Sequence, residues 1–82
     1  MSSASEPYKT SDLSFATYLR IAGIPFLHAE REGRRVYFLF EDPGGNVIED
    51  LRREYFADKA KVPVMSFVQM LRTMKTIIHN TP

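Results

Sequence analysis

The sequence predicts a small α+β domain of order α-β-β-α-α, with an antiparallel β-hairpin packed against three helices. Three observations carry that reading. The stretch Arg34–Pro43 is rich in β-branched and aromatic residues and closes on a Pro. A second strand-like run, Pro25–Arg31, precedes it across Glu32-Gly33, a tight-turn pair. Three other stretches repeat apolar residues at helical spacing, each bounded by start or stop signals. An isolated hairpin is marginal in water, so the helices must cover at least one of its faces.

Eighty-two residues make one domain, with a lead-in over 1–7 and the folded unit over 8–80. The lead-in is Ser-rich and polar and is expected to be disordered. Thr10, Ser11 and Asp12 then supply a helix start, because a hydroxyl or carboxylate accepts from the free amides of the first turn. The first helix is expected over 11–22. Its apolar residues circle most of its girth, more surface than one small domain covers, which hints at self-association. Gly23 followed by Pro25 stops it.

In the hairpin, a Glu32-Gly33 loop sets Arg31 opposite Arg34, Glu30 opposite Arg35, His28 opposite Tyr37 and Phe26 opposite Leu39. Leu27, Ala29, Val36, Phe38 and Phe40 then form the core row. Phe26, His28, Arg35, Tyr37 and Leu39 face the other way. Glu30 against Arg35 supports this register, two Arg flanking the loop argue against it, and a bulged three-residue loop is the alternative. Asp42-Pro43-Gly44-Gly45-Asn46 is turn chemistry, with Asn46 and Glu49 at capping spacing. A second helix follows over 47–56, with Val47, Ile48, Leu51 and Tyr55 as its stripe. Val62-Pro63 opens a third over 64–79, with Val64, Phe67, Leu71, Met74 and Ile78 on the buried side.

The run Tyr8-Lys9-Thr10-Ser11-Asp12-Leu13, the strand Arg35–Pro43 and the close Val62-Pro63, Phe67-Val68 and Leu71–Lys75 together resemble a family of small, functionally uncharacterised prokaryotic and phage-associated proteins. The resemblance spans roughly Tyr8 to His79. It implies a bacterial or phage cytoplasm and transfers no activity and no catalytic residue.

Eleven basic and ten acidic residues leave a net charge of +1, so no global field points to nucleic acid or membrane. There is no Cys, which excludes disulfides, thiolate metal sites and Cys nucleophiles, and the two His are far apart in sequence. No apolar run reaches the roughly 20 residues of a membrane span, and the N-terminus reads as no signal peptide. The expected location is the cytoplasm.

No nucleophile–base pair, metal cluster or cofactor loop stands out. The sequence therefore predicts a non-enzymatic module that binds a protein partner or itself, without cofactor or metal. Its candidate face is Phe26, His28, Arg35, Tyr37 and Leu39, where aromatics stack and Arg35 supplies charge. The plainer alternative is that a helix covers this face and the residues only pack. Nucleic-acid binding is the second functional reading, through a basic patch of Arg34, Arg72, Lys75 and His79 with Arg35 nearby. Against it, cations near the end of the last helix also serve the helix dipole. Met65, Met70 and Met74 with Phe67 could form an adaptable groove, although their spacing suits core. Asp42-Pro43-Gly44-Gly45 lacks the spacing of a phosphate loop. A small-ligand enzyme is the third and least supported reading.

Overall fold

The structure is a computed structural model that describes residues 6–82. The expected disordered lead-in lies, over residues 1–5, outside the described residues, and Glu6 and Pro7 are exposed and irregular. The elements are β1 (Tyr8–Thr10), α1 (Leu13–Ile21), β2 (Phe26–Glu32), β3 (Arg35–Phe40), α2 (Val47–Phe56) and α3 (Val64–Asn80). The α+β class and the hairpin stand. The order gains a strand, β1, which turns the hairpin into a three-stranded antiparallel sheet of order β1-β3-β2. Three residues carry too little alternation to announce a strand. What makes them one is β3, whose other edge offers unpaired amides and carbonyls.

The start of α1 follows from its side chains. Asp12 Oδ1 accepts from the Phe15 amide at 3.0 Å, and Thr10 Oγ1 accepts from the Asp12 amide at 3.1 Å. Gly23, at φ +93°, ends the helix. Its amide bonds to Arg20 O and the Ile24 amide to Leu19 O, the paired bonds of a left-handed helix stop. Ile24 and Leu19 are both buried, completing the apolar contact of that motif. The second helix stops the same way, with Asp58 (φ +60°) in the glycine's place and bonds from Asp58 N to Tyr55 O and Lys59 N to Glu54 O. Before α2, Asn46 makes no side-chain cap. It sits left-handed at φ +64°, continuing Gly44 and Gly45, so it serves the turn by its conformation.

The hairpin register differs from the expected one by two residues. The loop is Gly33-Arg34, with Gly33 at φ +65°, and Glu32 pairs with Arg35, Glu30 with Tyr37, Ala29 with Phe38 and His28 with Leu39. Gly at the first loop position suits the twist of a two-residue hairpin, and an opposite-charge pair replaces Arg31 against Arg34. A shift of two preserves faces, so Ala29, Val36, Phe38 and Phe40 keep the helix side. The bulge between Phe26 and His28 does not preserve them. It turns Phe26 toward the core, 5.4 Å from Phe40 and 6.3 Å from Phe38 between ring centroids, and leaves Leu27 46% exposed.

All three helices contribute to one core on that side of the sheet: Phe15, Ala16, Tyr18, Leu19, Ile24, Phe38, Phe40, Ile48 and Met74. Helix α1 is its centre. Phe15 through Leu19 are five consecutive buried residues, so the apolar girth that suggested a dimer surface is consumed within the chain. Thr17, fully buried among them, donates its hydroxyl to Leu13 O at 2.8 Å.

Candidate functional site

The sheet's second face carries no helix. Alternation places Lys9 from β1, His28, Glu30 and Glu32 from β2, and Arg35, Tyr37 and Leu39 from β3 upon it. Of the five residues expected here, His28, Arg35, Tyr37 and Leu39 share the face and Phe26 does not, for the bulge sends its ring to the core. His28 faces Leu39 instead of Tyr37.

Lys9 organises this face. It bonds to Glu32, approaches Glu30 at 3.8 Å and lies 4.7 Å from the Tyr37 ring centroid. The Glu32 hydrogen bond, with the charges of Glu32 and Glu30, holds the Lys9 ammonium above its ordinary pKa. The same bond holds the Glu32 carboxyl below its own. His28 Nε2 is 3.3 Å from Glu30 Oε2. The charges here are thus largely satisfied by one another. Leu39 is only 7% exposed, so the face has little apolar area left to bury.

The basic patch divides. Arg34 sits at the hairpin tip, while Arg72, Lys75 and His79 lie exposed on α3. Arg31 Nε donates to Thr81 O at 3.3 Å, which brings the end of α3 to the hairpin. Arg34 and His79 therefore share one end of the molecule. Arg72 stands roughly 10 Å further back along the helix, at 1.5 Å per residue.

A different surface is apolar. Beneath the connection from α2 to α3 lies a groove of about 400 Å³, lined by Tyr18, Tyr55, Phe56, Asp58, Ala60, Val62 and Phe67. Its aromatic wall is continuous: Tyr18 and Tyr55 are 5.4 Å apart, Tyr55 and Phe56 5.0 Å at 87°, and Phe56 stacks 5.8 Å from buried Phe15. Burial, with Glu54 second, raises the Tyr18 phenol. Phe56, which lines it, is 58% exposed; separately, on the first turn of α3, Val64 is 74% and Met65 64% exposed. The Arg52 guanidinium covers part of Phe56, 5.3 Å from its centroid.

The methionines separate accordingly. Met74 is fully buried, Met70 is half-buried against the core, and Met65 stands outside. Val64 was expected in the buried stripe, but α3 is 17 residues long and its first turn projects beyond the core. Phe56 lies one position off the α2 stripe, so helical spacing does not single it out. The available signal was an aromatic at the very end of a helix whose stripe already closed on Tyr55.

A smaller hollow of about 220 Å³ lies at the turn before α2, between Tyr8, Asp42, Gly44–Asn46, Ile48 and Glu49. Asp42 Oδ1 accepts from the Gly44 amide at 2.9 Å. Burial is the main cause that raises the Tyr8 phenol there, opposed by Arg52. Among the described residues no three His, Asp or Glu side chains converge as metal ligands. Among the same described residues no helix is long and apolar enough to cross a membrane. The His28–Glu30 pair lines neither hollow.

Over residues 5–80 the chain matches the family model described as Domain of unknown function (DUF5659), and it belongs to that family. No curated protein and no solved structure matches it.

Proposed function

We propose that this DUF5659 domain is a non-enzymatic binding module that docks a protein partner in the groove between α2 and α3. The observation that supports it is the aromatic wall of Tyr18, Tyr55 and Phe56, with Phe56 itself 58% exposed. A water-facing ring such as Phe56 is costly to keep in solution and favourable to bury, at roughly 25 cal/mol per Å² of apolar area. Exposed aromatics beside a shaped hollow are where interface energy concentrates. The open sheet face is the weaker site, because its charges already answer one another. A catalytic use of His28 and Glu30 has only an exposed pair behind it.

The proposal sets the domain in a bacterial or phage cytoplasm, supported by the resemblance of Tyr8–Leu13 and Arg35–Pro43 to phage-associated proteins. Nucleic-acid binding has less to support it, since Arg34 stands apart from Arg72 and Lys75.

A random peptide library displayed against the immobilised domain tests the reading. Apolar or aromatic peptides should be enriched, and their binding should fall at least tenfold in Phe56→Ser, a change worth about 1.4 kcal/mol or more. Enrichment that survives Phe56→Ser and Val64→Ser together would place the site elsewhere. No enrichment at all would sink the docking groove.

A further inference from the structure

We propose that two copies of this chain join through the free edges of β2, antiparallel about Ala29, into one six-stranded sheet. β2 is an outer strand seven residues long. In a two-residue hairpin the residues flanking the loop exchange hydrogen bonds, and the bonding then alternates along the ladder. Glu32, Glu30 and His28 therefore bond to β3, while Arg31 and Ala29 turn their amides and carbonyls outward. The alternation checks on the other side, where Phe38 and Phe40 turn from β2 and pair with Thr10 and Tyr8 of β1. Among the described residues nothing bonds to the outward backbone of β2.

Outward residues must meet outward residues, which leaves few antiparallel registers, and side-chain charge separates them. Centred on Ala29, the pairing sets His28 of each copy opposite Glu30 of the other. Centred on Glu30, it sets Glu30 against itself. Centred on Arg31, it sets Arg31 against itself and Glu30 against Glu32 twice. Only the first sets an imidazole against a carboxylate within hydrogen-bonding reach and places no like-charged side chains opposite each other. Both copies keep their helices on the same side, and the open faces join. The bulge at Leu27 ends the regular strand, so the interface is small and self-limiting. It is independent of the α2–α3 groove.

Sedimentation of the full chain up to about 0.5 mM, suited to an interface at the small end of the range, should show a concentration-dependent dimer. Ala29→Pro removes an outward donor and no β2–β3 bond, so the fold persists by circular dichroism. Loss of the two hydrogen bonds at the axis should weaken the dimer by roughly 10–30-fold. His28→Glu alone and Glu30→Lys alone should each weaken it by about threefold or more through like or unmatched pairs. Mixing those two variants should restore it, because each then finds its complement. Exchange of the Ala29 amide should slow as protein concentration rises. A monomer throughout the range overturns the proposal. So does a dimer that ignores folded Ala29→Pro, or mixed variants that associate no better than each alone. A dimer lost in Phe56→Ser and kept in Ala29→Pro would assign self-association to the groove.

Discussion

The Lys9 ammonium reaches across the whole width of the sheet, from one edge strand over the Tyr37 ring to the Glu32 carboxylate on the other edge. A three-residue strand is held in place by a side chain that touches all three strands. Leu39, its register partner, is sealed although no helix covers it. One residue thus ties the polar side chains of an open sheet face to one another.

That arrangement sets the direction of the pH response. The Glu32 carboxyl is held below the ordinary range, so its contribution is present above the unfolded carboxylate pKa and is lost as pH falls through the folded one. Lys9 is held above its ordinary value, so its contribution is present below the unfolded Lys pKa and is lost as pH rises through the folded one. Lys9→Met should return the Glu32 titration, followed by carboxyl carbon shifts, to the ordinary range. The stability curves of the variant and parent should converge at the acid end. An unchanged Glu32 titration would mean that the bond does not persist in solution.

The two helix stops make an internal pair of experiments. Gly23 and Asp58 hold the same left-handed position after α1 and α2. A Cβ costs roughly 1–2 kcal/mol in that conformation, somewhat less for Asp. Asp58→Gly should therefore stabilise by about 0.5–1 kcal/mol, and Gly23→Ala should destabilise by about 1–2 kcal/mol. Urea midpoints measured at constant m-value report both. A loss of stability in Asp58→Gly would mean that the Asp side chain contributes more than its backbone strain costs.

Helices were the legible part of this sequence because their signals are local. Gly23 and Pro25 stop one helix, and Val62-Pro63 starts another, whatever surrounds them. The row of Val36, Phe38 and Phe40 was legible for the same reason, a period of two in a strand with a covered face. β1 was not, because its pairing depends on β3, about thirty residues away. The bulge was not, because nothing in Phe26-Leu27-His28 separates a bulged strand from a straight one. The candidate face kept four of its five residues, since a register error of two leaves faces intact. Its chemistry depends on Lys9, which spacing within the hairpin does not place there. The groove was hidden, because the sequence shows that Val64 and Phe56 are apolar and not where the core ends.

The bulge decides which of two adjacent apolar residues carries weight, and that is open to direct measurement. A regular strand would seal Leu27 and expose Phe26. The observed strand does the reverse: Phe26 packs on Phe38 and Phe40, with the Arg20 guanidinium 5.0 Å from its centroid, while Leu27 stays 46% exposed. Phe26 is half-buried, so Phe26→Ala should cost about 2–3 kcal/mol, below the 3–5 of a fully buried ring. Leu27→Ala should stay within about 0.5–1 kcal/mol of the parent, as surface changes do. For a domain with only about 5 kcal/mol to lose, the first variant should shift the thermal midpoint by more than 10 °C and the second by a few degrees. The opposite ranking would return β2 to a regular strand and, with it, Phe26 to the open face.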